Sequence, residues 1–183
     1  MYKQLAVAAA FAIASSSVLA QQAPQFYAGA DFSSIKSDDV PHENGYGAFG
    51  GYRINEHFAV EAGYHRLAKT TTSYDYESDS FSFHSSGHSK LYQADVSLIG
   101  TLPLGKGISA YARLGVDHLK SKGSGTVTIN GVTTDITGSV SATRGLYGIG
   151  LSYAFSPTIA ARIEVQKPHS EIVRTAAGVA YSF

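Results

Sequence analysis

The chain has 183 residues, which sets one domain as the prior, and its 14 basic and 14 acidic residues cancel. That balance argues against a nucleic-acid partner, whose phosphates call for a basic excess. With 12 Tyr, 9 Phe, 19 Gly and neither Trp nor Cys, the composition is that of a Tyr- and Gly-rich β protein and excludes a disulfide framework and any thiolate metal site.

The N-terminal stretch MYKQLAVAAAFAIASSSVLAQQ has one early positive charge at Lys3, an apolar run from Leu5 to Ala14, and small residues ending in Val18-Leu19-Ala20. This is the three-part grammar of a secretory signal peptide, so residues 1–20 are expected to be removed after Ala20, leaving 21–183 as the mature domain. The apolar run is shorter than the roughly 20 residues that span a bilayer as a helix.

Alternating polarity then marks strand after strand. The first sets Phe26, Ala28, Ala30 and Phe32 against Tyr27, Gly29, Asp31 and Ser33; the second sets Tyr46, Ala48, Gly50 and Tyr52 against Gly47, Phe49, Gly51 and Arg53. After a short turn at Asn55 and Glu56, the third alternates Phe58, Val60, Ala62 and Tyr64 with Ala59, Glu61, Gly63 and His65. Residues 69–89 are mostly Ser, Thr, Tyr, Asp and His, which predicts a long exposed loop. The fourth strand sets Tyr92, Ala94, Val96 and Leu98 against Gln93, Asp95, Ser97 and Ile99 and turns at PLGKG. The fifth sets Ile108, Ala110, Ala112, Leu114 and Val116 against Ser109, Tyr111, Arg113, Gly115 and Asp117.

A second polar loop over 121–141 follows. Its Asn130-Gly131 pair is a hairpin signal, which leaves open that the two flanking strands continue beyond the membrane. The sixth strand carries Tyr147, Ile149, Leu151, Tyr153 and Phe155, and the seventh, after Ser156-Pro157, carries Ile159, Ala161, Ile163 and Val165 against Ala160, Arg162, Glu164 and Gln166. The last alternates Val173, Thr175, Ala177, Val179, Tyr181 and Phe183 with Arg174, Ala176, Gly178, Ala180 and Ser182. Eight is an even count, which lets an antiparallel sheet close on itself.

Two closed barrels fit eight strands, a soluble one greasy inside and a membrane one greasy outside. An eight-stranded barrel is only just wide enough for side chains to fill it, so inward positions must be small or pair compactly. The non-greasy set is rich in Gly, Ala and Ser, and the greasy set holds most aromatics; the small set therefore belongs inside. The reading is an all-β, eight-stranded antiparallel up-and-down transmembrane β-barrel. Its interior would hold Asp31, Glu61, Asp95, Asp117 and Glu164 with Arg113, Arg144, Arg162 and Arg174, and such charges are costly unless paired, which predicts an ion-paired filling rather than a wide channel.

The segments FYAGADF, GYGAFGGYRINEHFAVEAGYHRLA, LPLGKGISAYARLG and GLSYAFSPTIAARIEVQ resemble the transmembrane domain of the OmpA-type outer-membrane proteins of Gram-negative bacteria. The resemblance implies an integral outer-membrane location, an interior pair Glu61–Arg162, and a second arginine and carboxylate at Arg113 and Glu164. The family's alternative partners, a lysine on strand four and a glutamate on strand six, fall here on Ile99 and Ser152. Phe183, with Tyr181 and Val179, matches the signature read by the outer-membrane assembly machinery. The peptidoglycan-binding domain that many relatives carry after the barrel is not expected.

No catalytic residue, metal ligand or cofactor is expected. His169, Ser170 and Glu171 are neighbours in sequence, and neighbours on a strand end point apart, whereas catalysis needs convergence. His84 and His88 would share a face only on a helix, for which the stretch shows no period. Expected partners are outer-membrane lipids including lipopolysaccharide and the assembly machinery, with the barrel itself a monomer. Three roles follow: an envelope-structural barrel, an adhesin or host-interaction protein acting through 69–89 and 121–141, or a narrow low-conductance pore.

Overall fold

The computed structural model describes residues 25–37, 40–78, 81–169 and 172–183, so the expected leader, Ser170 and Glu171 lie outside the described residues. Eight strands follow in order: β1 (Phe26–Ser37), β2 (Val40–Arg53), β3 (Phe58–Ser78), β4 (Phe81–Gly105), β5 (Ile108–Ile129), β6 (Val132–Ala154), β7 (Ile159–His169) and β8 (Ile172–Ser182). Each pairs antiparallel with its sequence neighbour, and β1 pairs with β8 to close the barrel. All eight expected strands are present with the expected alternation of inward and outward residues, Arg144 excepted.

Polarity is inverted relative to a soluble protein. Glu61 and Asp117 are 1% exposed and Arg174 0%, whereas Leu114 is 69% and Ile149 70% exposed on the outer face. Aromatic side chains gather at two levels of that face. At the lower level Phe26 packs on Tyr52 (ring centroids 5.0 Å) and Phe183, and Tyr153 on Phe155; at the upper level Tyr64 stacks on Tyr92 at 6.1 Å, with Tyr46 and Tyr147 exposed nearby. Two aromatic belts bounding an apolar band are how a membrane barrel meets its interfaces.

Residues 69–89 correct the loop expectation. Pairing continues from Lys69 opposite Lys90 to Ser78 opposite Phe81, so this stretch is the outer half of a hairpin rather than a loop. β5 and β6 likewise pair without interruption to Ile129 opposite Val132, around a turn in which Asn130 (φ 47°) and Gly131 (φ 84°) take the left-handed conformation that a tight hairpin requires. By contrast, β2 pairs with β3 only as far as Arg66, and β7 with β6 only from Tyr147 onward. The outer halves of β3–β6 therefore form a four-stranded blade above one side of the barrel, with β3 and β6 as its edges.

Candidate functional site

The inward charges meet in the middle of the lumen, and Arg113 is their centre. Its Nε donates to Glu164 Oε1 at 2.6 Å, Nη2 to Glu61 Oε1, and Nη1 to Asp95 Oδ2 (3.2 Å) and Ser97 Oγ (3.3 Å). One guanidinium on β5 thus engages β3, β4 and β7, which its planar fork of five N–H donors makes possible. Arg162 Nη1 donates to the other oxygen of Glu61 at 2.7 Å, and its guanidinium lies 3.3 Å from the Phe49 ring centroid. Above them Arg174 donates to Asp31 and, at 3.0 Å, to Gln166 Oε1, while Gln166 Nε2 donates to Glu164 at 2.9 Å. His65 lies between Asp31 and Asp95, with Nδ1 3.3 Å from one and Nε2 3.4 Å from the other.

Both pairs implied by the resemblance, Glu61–Arg162 and Arg113–Glu164, are present, and Arg113 joins them into one network. Asp95 and Arg174 are brought in as expected. Asp117 is buried beside it, directly opposite Asp95, yet neither of its oxygens accepts a hydrogen bond from a described residue. Arg144 is corrected: it is exposed and forms no ion pair among the described residues. It faces Asp117 in register, but β7 has already ended at that height, so the wall that would enclose it on the other side is missing.

Sequence reading missed the two tyrosines. Tyr27 donates to Glu61 Oε2 at 2.9 Å and Tyr111 to Glu164 Oε2 at 3.0 Å, so each carboxylate of the network has a phenol as well as guanidinium donors. Bulky side chains at inward positions of an otherwise small set were the available signal. The same tyrosines pack with Phe49, Ala59 and Ile99 into an apolar cluster on the side of the short turns. Ile99 therefore builds apolar packing where relatives place a charge. A second cluster of Ile35, Leu67, Ala68 and Leu119 lies toward the blade. Leu67 and Ala68 both turn inward because the β3–β4 register shifts between Arg66 and Ala68.

Among the described residues no group of three or more His, Asp or Glu is arranged to hold a metal ion. His84 pairs with Asp75 (2.8 Å) and His88 with Ser124 (2.9 Å), each across the blade.

A family model described as outer membrane protein beta-barrel domain matches residues 6–183. The chain belongs to that family. This outer-membrane barrel is 31% identical over 177 residues to outer membrane protein A of Salmonella typhi, covering 90% of the present chain and 47% of that protein. A similar 29% identity relates it to outer membrane protein A of Shigella flexneri, of which 48% is covered. The chain thus spans about half the length of the curated relatives it matches. Among solved structures, the N-terminal β-barrel domain of Pseudomonas aeruginosa OprF superposes with a TM-score of 0.53 at 16% identity, covering 87% of this chain and 99% of that one. Ail of Yersinia pestis, solved with the heparin analogue sucrose octasulfate, gives 0.52 at 19% identity, covering 87% and 97%. The barrel is accordingly integral to the Gram-negative outer membrane, with its short turns periplasmic and its blade outside.

Proposed function

We propose that this chain is a non-enzymatic, envelope-structural barrel whose lumen is closed to ions, with outer-leaflet lipids including lipopolysaccharide as its surroundings and the assembly machinery as its folding partner. The observation that carries the reading is the Arg113 centre, which ties β3, β4, β5 and β7 across the lumen. Apolar clusters flank it on both sides, so an ion would have to leave water and displace an ion-paired network. Planar-bilayer recording tests this: the barrel should give no discrete conductance steps, and steps that grow in Arg162→Ala would sink the closed-lumen reading in favour of a narrow pore.

A second reading, attachment through the blade, is favoured by its edges. Register pairing of β2 with β3 stops at Arg66 and that of β7 with β6 at Tyr147, and Val132, Ile136 and Val140 on β6 are exposed. Unpaired edge groups are a template for an extended partner segment. Removing residues 70–89 joins Lys69 to its cross-strand neighbour Lys90, so the blade can be shortened without disturbing the barrel register. Unchanged binding to cells or matrix after this deletion and that of 121–140, with assembly intact, would eliminate the attachment role.

A further inference from the structure

Lys69, Lys90 and Lys122 stand directly opposite one another on β3, β4 and β5. One outward position closer to the membrane, Arg66 faces Tyr92 and Tyr92 faces Lys120. Like charges set directly opposite destabilise a sheet unless something between them carries the opposite sign. Among the described residues these five cations form no ion pair. The carboxylates of these strands and their neighbours are directed elsewhere: Glu61, Asp95 and Asp117 are buried in the lumen, Glu43 on β2 accepts the Thr70 hydroxyl, and Asp75, Glu77 and, on β6, Asp135 lie further out, opposite His84, Ser82 and Thr126.

The depth of the row identifies its counter-charge. Tyr92 belongs to the upper aromatic belt through Tyr64, Lys122 Nζ lies 5.9 Å from the Tyr92 ring, and the Arg66 guanidinium lies 4.4 Å from the Tyr46 ring. Directly below on the same strands, Val96, Leu98, Leu114 and Val116 are exposed on the outer face. A groove of about 690 Å³ is lined by Lys90, Tyr92, Lys120, Lys122 and Ser124. A row of ammonium groups above an aromatic belt and an apolar field matches an amphiphile with phosphates at its head and acyl chains beneath; lysine and arginine stems can lie along the apolar surface while their charges reach the head groups.

We propose that the outer face of β3–β5, through Arg66, Lys69, Lys90, Lys120 and Lys122, binds the phosphate groups of lipid A in the outer leaflet. This deepens the lipopolysaccharide partnership proposed above and rests on it. Lysines act here as point charges on phosphate, and the cost of opposing like charges is removed when the anion is bound.

The test refolds the mature barrel into phosphatidylcholine nanodiscs containing bisphosphorylated lipid A or its dephosphorylated form, then measures glycolipid retained per barrel. Wild type should retain the bisphosphorylated lipid preferentially. Lys90→Gln/Lys120→Gln/Lys122→Gln should weaken retention on the order of a hundredfold, at about fivefold per lysine. The corresponding triple arginine variant should keep it, and resistance of the folded barrel to dodecyl sulfate without heating checks that all variants are assembled. Equal retention by wild type and the glutamine variant overturns the site while leaving the lipopolysaccharide partnership standing. Failure of wild type to retain either lipid overturns the partnership itself. Displacement of lipid A by inorganic phosphate, or by a soluble sulfated polysaccharide, at matched charge concentration assigns the row to a soluble anion and also overturns the proposal.

Discussion

Arg113 on β5 and Glu61 on β3 meet over the intervening β4, Nη2 donating to Oε1. The contact is not between neighbouring strands, so it braces the barrel across its bore. Replacing Arg113 with Met would leave Glu61, Glu164 and Asp95 buried without their shared donor. A loss of about 3–5 kcal/mol is expected, because removing one member of a buried ion pair strands the others. Urea unfolding in lipid vesicles measures it, and a loss below about 1 kcal/mol would contradict the central role of this arginine.

Tyr111→Phe removes one donor from Glu164 but leaves Arg113 and Gln166 in place. The expected cost is about 1.5–3 kcal/mol, the range for a hydrogen bond to a charged group. Tyr27→Phe at Glu61 should cost a similar amount. Both would be read from the same unfolding midpoints, with an unchanged denaturant slope showing that the folded state is intact.

Two glycines separate barrel from blade. A Cβ on Gly115 would collide with the Val96 carbonyl oxygen and approach Ser97 Cα to 2.7 Å, whereas one on Gly123 would meet nothing within 4 Å. Gly115→Ala should therefore destabilise by about 1–3 kcal/mol through overpacking against backbone. Gly123→Ala should be neutral or slightly stabilising, since it only restricts the unfolded chain. Equal effects at the two sites would show that the narrow bore does not limit side-chain size.

Phe183 sits where the barrel closes. Its N–H donates to the Phe26 carbonyl at 2.9 Å, and its ring stacks on Phe26 and Tyr181. Phe183→Ala keeps the hydrogen bond and removes both ring contacts. Outer-membrane fractionation should show less inserted barrel, with little effect on the unfolding midpoint of the fraction that does insert. Normal insertion would separate this residue from assembly.

Much of this was legible because a two-residue period has only two faces. Once small residues were assigned to the bore, Asp31, Glu61, Asp95, Arg113, Glu164 and Arg174 were placed inside by parity alone. Which of them touch depends on strand tilt and stagger, which parity does not encode, so the sequence implies Arg113 as one member of a pair and not as the centre that binds three carboxylates. Arg144 has inward parity too, but parity says nothing about how high the neighbouring wall rises. The stretch 69–89 has the composition of a loop for a different reason. Above the bilayer both faces of a strand are wet, so Thr71, Ser73 and Ser85 need not alternate with apolar residues, and the signal that marks strands lower down has no cause to appear.

The blade's ladders also set how force would travel. The β4–β5 register runs unbroken from Phe83 opposite Ile129 to Pro103 opposite Ser109, and β5–β6 is continuous from Ile129 to Ile108. The β3–β4 ladder shifts between Arg66 and Ala68, at the level where the barrel wall begins. A pull along the blade would load the β4–β6 hydrogen bonds in shear, sharing tension over many rungs down to the periplasmic turns. β3, with its ladder interrupted, would act as the compliant side, so the blade should bend about that bulge while the three strands beside it anchor it as a single tether.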